Sequence, residues 1–424
     1  MTAAKQYNNN SSLAPFYFRS FRFQWSADLG TAWAFEMETI ILGWYILDET
    51  GSVLLLTIFA SLQFLGTLIA PLIGVLGNRI GYRNVLCSLR LVFTLQATII
   101  MILAISNYLS PPYVFAIALI MGVFRPSDLV MRYALIGQTI PAKNLTGAMS
   151  INRMTTDSAR IAGALAGAGT VAMLGIGSAY LIIVTLYATS LFLSFGISKL
   201  NPEHKPSDTE RSLHYPTSPW RDLKDVFLYA AKTPHLLAAL SIAFLVNLTA
   251  FPLTAGLLPY VAKNIYLTNQ TGLGYLAASF AFGAMIGSVI LTRIGNRVMS
   301  GRMIIVFCSL WYVMLFIFSQ FSNLQIGIPI LIVTGCVQGL GLVPMSAMLV
   351  RTSDKRFSGG ILGLRMLAVY GLPIGLLIAG PVITFFGYKT MVAIYSIFGL
   401  TAIGLIMWRW HIHLWSANSP PNLR

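Results

Sequence analysis

Charged residues occur inside long apolar stretches of this sequence, where they could exchange protons or bind ions. The first stretch holds three carboxylic acids, Asp28, Glu36 and Glu38. A carboxylate removed from water takes up a proton more readily, so each acid is a candidate proton-coupling site. On a helix Glu36 and Glu38 point about 200° apart, whereas Asp28 and Glu36 share a broad face about 12 Å long. We favour Glu36 over Glu38; the alternative is that one of these acids pairs structurally with an arginine of a neighbouring helix.

Two later apolar stretches each carry two arginines and one aspartate on a single helical stripe, with spacings i, i+3, i+7 and i, i+4, i+7. Two interpretations stay open. The stripes either form an interlocked ion network between two antiparallel helices, or they line a cavity that binds an anionic group. The second half of the chain has one comparable charge, Arg365, among neutral polar and aromatic residues. The two stripes are Arg125, Asp128 and Arg132, and Arg153, Asp157 and Arg160.

The helices that must position these charges are apolar and long. Of the 424 residues 56% are hydrophobic and only 10% are charged, against about 25% charged in a soluble protein. Apolar runs of about 20 residues are long enough to cross a hydrocarbon layer of about 30 Å. The sequence therefore predicts an all-α membrane protein with twelve transmembrane helices. The runs are 20–47, 52–76, 84–107, 112–139, 147–173, 177–199, 235–260, 272–292, 303–321, 326–350, 358–384 and 389–412.

The basic residues indicate topology rather than nucleic-acid binding. The net charge is +15, but the lysines and arginines lie mostly in short loops between apolar runs. Alternate loops hold only Lys263 and Lys389, whereas the other loops and both tails hold most of the remaining basic residues. Positive residues stay on the cytoplasmic side. We therefore predict two cytoplasmic termini, a lipid bilayer and a small molecule as partners, no nucleic acid, and no obligate protein partner.

The chain reads as two related halves. Residues 145–154 resemble residues 357–366, and residues 79–83 resemble residues 293–297. Two six-helix bundles related by duplication, with a site at the membrane midplane, are a known transporter plan. The predicted division is a cytoplasmic tail (1–19), a first bundle (20–200), a central cytoplasmic loop with an amphipathic helix (201–232), a second bundle (233–412) and a second tail (413–424).

Several kinds of catalytic machinery are missing from the sequence. The three cysteines are isolated and the five histidines show no ligand spacing, so we predict no disulfide framework and no metal site. A phosphate-binding loop of the Walker A type is also missing, so ATP is not expected to drive this chain. The sequence therefore predicts neither an enzyme nor a cofactor, and the acids in the first apolar run favour a proton gradient as the driving force.

One basic loop carries a family motif. Residues 74–83 read Gly-Val-Leu-Gly-Asn-Arg-Ile-Gly-Tyr-Arg between the second and third apolar runs. This loop resembles the one between helices two and three of the major facilitator superfamily. Residues 43–45, 50–52, 131–141 and 160–167 are similar to its transmembrane secretion effector and enterobactin exporter-like branch. The resemblance implies a rocker-switch mechanism, export of a siderophore or drug-like molecule, and a bacterial cytoplasmic membrane. The implied gating loop comprises Gly74, Asn78, Arg79, Gly81 and Arg83.

Two residues depart from the family pattern. Asn78 stands where the family usually has an aspartate that latches the outward-facing state, and asparagine lacks the charge for that latch. Ala164 follows Gly163 where the antiporter motif usually has a proline. The direction of transport therefore stays open. An importer on the same fold is one alternative, and a scaffold or sensor that has lost transport is another.

Overall fold

The structure is a computed structural model that describes residues 14–67, 69, 73, 76–77, 79–198, 219–294, 300–354 and 358–416. Almost all of these residues are helical, and no β-strand occurs among them. The predicted all-α class is confirmed for this part of the chain.

The main described helices of the first half are α1 (Arg19–Thr50), α2 (Val53–Leu62), α3 (Tyr82–Ile105), α4 (Pro111–Thr139) and α5 (Ala142–Ser194). Gly51, with φ of 62°, separates α1 from α2. The Ser52 hydroxyl then caps α2 by accepting a hydrogen bond from the backbone N–H of Leu55 at 3.3 Å. Helix α4 begins with two prolines, which suit a first turn because their missing N–H would have no partner there.

Helix α5 is interrupted at Gly175, whose φ of 78° and ψ of 173° are not helical. Glycine adopts a positive φ without steric cost, which explains the residue type at the break. The apolar segment Gly147–Ser194 has 48 residues. As one straight helix it would measure about 72 Å, more than twice the thickness of a bilayer core. The break falls between the predicted apolar runs 147–173 and 177–199.

The main described helices of the second half are α6 (Pro219–Lys232), α7 (Pro234–Thr249), α8 (Phe251–Ala255), α9 (Gln270–Ile294), α10 (Ser300–Gln320), α11 (Leu324–Thr352), α12 (Ser358–Ala368), α13 (Gly371–Phe386) and α14 (Tyr388–Ser416). A short helical turn, Leu258–Tyr260, and a π-helical turn, Val261–Ile265, precede α9. Helix α6 occupies the place where we predicted an amphipathic helix. Its residues Val226 and Ala230 are buried, whereas Phe227 and Leu228 are exposed.

Among the described residues, eight helical segments are long and apolar enough to cross a membrane. A ninth is added if the segments Asp225–Lys232 and Pro234–Thr249, which meet at 105°, form one span. Helix α1 has 32 residues and is long enough to cross, but its acidic residues interrupt its apolar sequence. The multi-pass helical prediction is confirmed, whereas the number twelve stays a prediction.

The chain divides into two compact units. The first comprises Met1–Thr39 and Leu68–Lys205, and the second comprises Ile40–Thr67 and Pro206–Arg424. The boundary lies within α1, because α2 packs against α13 in the second unit. There the Ser61 hydroxyl donates a hydrogen bond to the Pro373 carbonyl at 3.2 Å. The predicted bundles at 20–200 and 233–412 follow from sequence repeats and stay a prediction.

Helix α3 of the first unit exposes an apolar stripe. Leu91, Leu95, Ile99 and Ile102, spaced i, i+4, i+8 and i+11, are each about half exposed. A water-soluble helix would carry polar residues on such a face. An exposed apolar stripe on a helix of this length is the surface expected against lipid.

The second unit has an apolar core that includes two large aromatic side chains. Trp311 and Tyr312 are fully buried. The Trp311 ring packs edge-on against Phe251 with 5.0 Å between ring centroids, and the Tyr312 hydroxyl hydrogen-bonds Thr249 at 2.6 Å. These two side chains therefore serve the packing of this unit.

The glycine pair on α13 allows close packing against α7. A Cβ built on Gly371 would lie 2.6 Å from the Phe244 carbonyl oxygen, and one built on Gly375 would lie 1.9 Å from that of Leu248. Side chains do not approach backbone this closely, so the crossing needs glycine at both positions.

Candidate functional site

Four charged side chains form a buried cluster between α1, α3 and α4. The Arg132 guanidinium lies 2.5 Å from the Asp128 carboxylate and 3.5 Å from that of Asp28. Arg90 contacts Asp28 and lies 3.8 Å from Asp128. Each of the four side chains is at most 5% exposed. Two carboxylates face two guanidiniums, so the cluster is neutral; we call it the buried quartet.

The buried quartet pairs Asp28 with two arginines. Breaking a buried ion pair leaves an uncompensated charge, so removing one member of such a cluster is strongly destabilising. Gln24 adds a link by donating a hydrogen bond to the Arg132 carbonyl at 2.9 Å. For Asp28 the arrangement matches the alternative of pairing with arginines of neighbouring helices.

Arg90 is a residue that the sequence reasoning missed. It lies inside the apolar run of α3, is fully buried, and also donates a hydrogen bond to the Ser194 hydroxyl. The signal that identified the other charges applied here too, because a single arginine within a transmembrane run needs a partner. No acid lies near it in the sequence, so its partners were not evident.

A second cluster surrounds Glu36 and is partly exposed. The guanidinium groups of Arg125 and Arg160 each lie 3.8 Å from the same carboxylate oxygen of Glu36. Arg125 also donates a hydrogen bond to the Thr39 hydroxyl at 2.9 Å, and its guanidinium stacks 4.6 Å above the Phe35 ring. The side chains of Glu36 and Arg125 are 25% exposed and that of Arg160 is 49% exposed. We call Glu36, Arg125 and Arg160 the Glu36 cluster.

The crossing of α1 and α5 places Arg160 beside Glu36. A Cβ built on Gly163 would lie 2.7 Å from the Glu36 Cβ, and one built on Gly167 would lie 2.9 Å from the Met37 Cα. The two helices therefore touch through backbone at this point. Arg160 stands about one turn before Gly163, so its side chain reaches the acid.

The spacing of charges on α1 matches that on α4. Asp28 and Glu36 are about 12 Å apart along α1, and Arg125 and Arg132 are about 10.5 Å apart along α4. Arg132 contacts Asp28, and Arg125 contacts Glu36. The order is reversed between the helices, which is the arrangement of an antiparallel pair. One register thus satisfies both acid–base contacts.

The predicted network between α4 and α5 needs a correction. In the described part of the chain, no ion pair joins the charged stripe of α4 to that of α5. Arg153 pairs with Asp157 inside α5 at 3.1 Å, and the Arg153 side chain is 62% exposed. Arg125 and Arg160 both pair with Glu36 on α1. Arg132 pairs with Asp28 on α1 and with Asp128 on its own helix. Asp128 also lies near Arg90 on α3. The physical reason is that α1 supplies acids at two depths, whereas each stripe carries an excess of arginine.

Glu38 occupies a different environment from Glu36. Its carboxylate is buried and accepts hydrogen bonds from the hydroxyls of Tyr187 at 2.9 Å and Tyr180 at 3.3 Å. Within the described residues no basic side chain lies within ion-pair distance of it. The Tyr187 ring packs against Phe35, with 5.6 Å between centroids. The two tyrosines were not identified from the sequence, because they are uncharged and lie in an apolar part of α5 without a charge pattern.

The predicted gating loop is described only in part. Gly74 and Asn78 lie outside the described residues, so the proposed loss of the latch stays a prediction. Arg79 is exposed. Gly81, with φ of 95°, precedes the first turn of α3. A side chain is disfavoured at that dihedral angle, which explains this glycine of the motif.

Arg83 and Arg365 have separate surroundings. Arg83 donates hydrogen bonds to the carbonyls of Ser194 and Phe195 at the C-terminal end of α5. A cation there satisfies carbonyls that lack a helical partner and complements the negative end of the helix dipole. Arg365 is half-buried in α12 of the second unit.

In the part of the chain that the structure describes, no group of three or more histidine, cysteine, aspartate or glutamate side chains could hold a metal ion. The first unit holds a candidate site built from charged groups and their hydrogen-bond donors. The buried quartet, the Glu36 cluster and Glu38 with its tyrosines are its three components.

Comparison with known proteins identifies the family of this chain. A family model described as Major Facilitator Superfamily matches residues 29–368. A search of curated protein sequences found no significant match. Three solved structures share the fold of this chain. Their sequence identities to it are low, so the similarity concerns the fold alone. They are the nucleoside transporter NupG (TM-score 0.69, 12% identity, 92% of this chain and 98% of that chain), a bacterial homologue of the human lysosomal transporter Spinster (0.69, 10%, 94% and 96%) and a D-xylose-proton symporter (0.68, 11%, 94% and 99%).

Recurring apolar helices, charges paired at membrane depth and the fold of these neighbours all agree with the family match. Because that match covers most of the sequence, the chain belongs to the Major Facilitator Superfamily and is a membrane transporter rather than an enzyme.

Proposed function

We propose that this protein is a proton-coupled secondary transporter that exports a small amphiphilic molecule by alternating access. The family membership supports transport, and the resemblance of residues 131–141 and 160–167 to the secretion effector-like branch supports export of a siderophore or drug-like compound. We further propose twelve spans, cytoplasmic termini and a bacterial cytoplasmic membrane, because basic residues concentrate in alternate loops.

The observation that carries proton coupling is the environment of Glu38. Asp28 and Glu36 each face two guanidiniums, whereas Glu38 has hydroxyl partners. A buried carboxylate without a cation costs free energy that protonation removes. A tyrosine hydroxyl donates to a carboxylate and accepts from a carboxylic acid, so Tyr180 and Tyr187 suit both states. Glu38 is therefore our proton site, in place of Glu36.

The test uses purified protein in proteoliposomes that enclose a pH-sensitive dye. Adding a catecholate siderophore or an amphiphilic drug should change the internal pH, because substrate and protons move in one cycle. Glu38→Gln should abolish gradient-driven transport while substrate exchange survives, since the glutamine amide does not take up and release a proton as a carboxylate does. Glu49→Gln, at the exposed end of the same helix, is the matched control. Full driven transport by Glu38→Gln would remove Glu38 from the mechanism, and Glu36→Gln would then be tested in its place.

Direction and activity are decided by two further results. A deletion strain that retains siderophore inside the cell supports export, whereas one that fails to accumulate it supports import. Proteoliposomes that show no substrate-dependent flux with either compound would favour the scaffold or sensor alternative.

A further inference from the structure

The Glu36 cluster carries an excess of positive charge. It combines one carboxylate with two guanidiniums. Its neighbours on the same stripes do not correct the imbalance, because Asp128 and Arg132 belong to the neutral buried quartet and Arg153 is paired with Asp157. The three groups of the cluster thus carry two positive charges and one negative charge.

The three groups of the cluster stand at membrane depth. Glu36, Arg125 and Arg160 each lie near the middle of their apolar helices, far from the ends of α1 and α4 and from the break in α5. A charge that faced lipid at this depth would cost about 2.5–3.5 kcal/mol, so exposed charges here face water. Since Arg160 is half exposed, a solute in that water can reach it.

Glu36 does not saturate the donors of Arg160. The 3.8 Å separation between the two groups exceeds the range of about 2.7–2.9 Å for a charge-assisted hydrogen bond. A guanidinium offers five N–H donors in a planar fork that fits a carboxylate through two of them. The half-exposed Arg160 guanidinium therefore has N–H donors left for the carboxylate of an anionic ligand.

We propose that Arg125 and Arg160 bind a carboxylate group of the substrate, and that Glu36 is the internal anion this group displaces. The transported molecule is then an organic anion with an apolar body. This inference rests on the proposed transport function, because it names the substrate class of that transporter. Binding of the anion needs no proton gradient, so it is measured separately from transport.

The probes are salicylate and its neutral isostere salicylamide, which differ only in the group that meets the arginines. Thermal stabilisation of the full-length protein in detergent reports binding, because a ligand of the folded state raises the unfolding temperature. Salicylate should stabilise the wild-type protein at lower concentration than salicylamide. Arg125→Gln and Arg160→Gln should each weaken salicylate binding by about tenfold or more, whereas Arg160→Lys should retain part of it.

Two variants separate binding from folding. Glu36→Gln should bind salicylate about three- to tenfold more tightly, since it removes the competing anion; loss of a merely structural residue would not tighten binding. Arg22→Gln, which removes the same charge from an exposed position about 21 Å away along α1, should bind as the wild-type protein does.

Three results would overturn the proposal: equal stabilisation by the amide, unchanged salicylate binding in Arg160→Gln, or weaker binding in Glu36→Gln. If these binding results hold while proteoliposomes show no driven flux, the transport proposal fails and the anion site stands. If driven flux is seen but salicylate binding is unchanged in the arginine variants, the anion site alone is wrong.

Discussion

Glu36 and Glu38 are two residues apart on α1, and their carboxylates lie in contrasting environments. The Glu36 carboxylate lies 3.8 Å from two guanidiniums on a partly exposed face. The Glu38 carboxylate is buried and accepts hydrogen bonds from Tyr187 and Tyr180. The helical rotation between the two positions separates a site that can meet a solute from one that is sealed by protein. This contrast underlies our proposals of anion binding at the first site and proton exchange at the second.

The hydrogen bonds to Glu38 can be tested through stability. Tyr187→Phe removes the shorter of the two and should destabilise the fold by about 1–3 kcal/mol, because a buried carboxylate loses a donor. Tyr180→Phe, whose bond is longer, should cost less. Unfolding in mixed micelles gives the free energies. In a Glu38→Gln background the Tyr187→Phe effect should shrink, and an undiminished effect would show that the hydroxyl acts through another group.

The buried quartet should respond sharply to the loss of one arginine. Arg90→Met leaves Asp28 and Asp128 to share Arg132, so we expect about 3–5 kcal/mol of destabilisation. Adding Asp28→Asn to Arg90→Met restores neutrality and should recover part of the loss. The measurement is the unfolding free energy in detergent, with Arg22→Gln as the exposed control. A small effect of Arg90→Met would contradict the structural role of the cluster.

The α1–α5 crossing predicts a position-specific response to alanine. Gly163→Ala brings a methyl group to within 2.7 Å of the Glu36 Cβ, and relieving this overlap should cost about 1–3 kcal/mol. Gly169→Ala is the control on the same helix, because nothing lies within 4 Å of its added Cβ; it should be neutral or stabilise by up to about 1 kcal/mol. Thermal unfolding of both variants decides the matter, and equal behaviour would refute the close crossing.

Topology can be tested across a single helix. Asn84 lies in the first turn of α3 and Ser110 follows the other end of this helix, whose 24 residues span about 36 Å. In a variant without the three native cysteines, Ser110→Cys should react with an impermeant thiol reagent added outside the cell, and Asn84→Cys should react only after the membrane is opened. Labelling of both from one side would overturn the predicted topology.

The local features of the fold were accessible from the sequence because single residues determine them. Gly175 marks the break in α5, and Pro111 marks the start of α4. The spacing of Arg125 and Arg132 correctly placed both on one stripe of α4. In each case the signal lies within one helix and needs no knowledge of its neighbours.

The partners of the charges were not accessible in the same way. Arg132 and Arg125 share a stripe, yet one enters the buried quartet and the other the Glu36 cluster, because α1 presents acids at two depths. The contact of Arg90 with Asp28 joins helices that are far apart in sequence. Such pairings depend on the rotation and depth of packed helices, which a helical pattern leaves undetermined.

The contact through Gly163 and Gly167 has a consequence for how this protein can change. Two residues without side chains hold α5 against α1, so the frame that carries Arg160 does not depend on Arg160 itself. Neighbouring positions are then able to exchange one polar group for another while the scaffold stays intact. If Arg160 contacts the transported molecule as we propose, cargo selectivity can be retuned one side chain at a time with the architecture left unaltered.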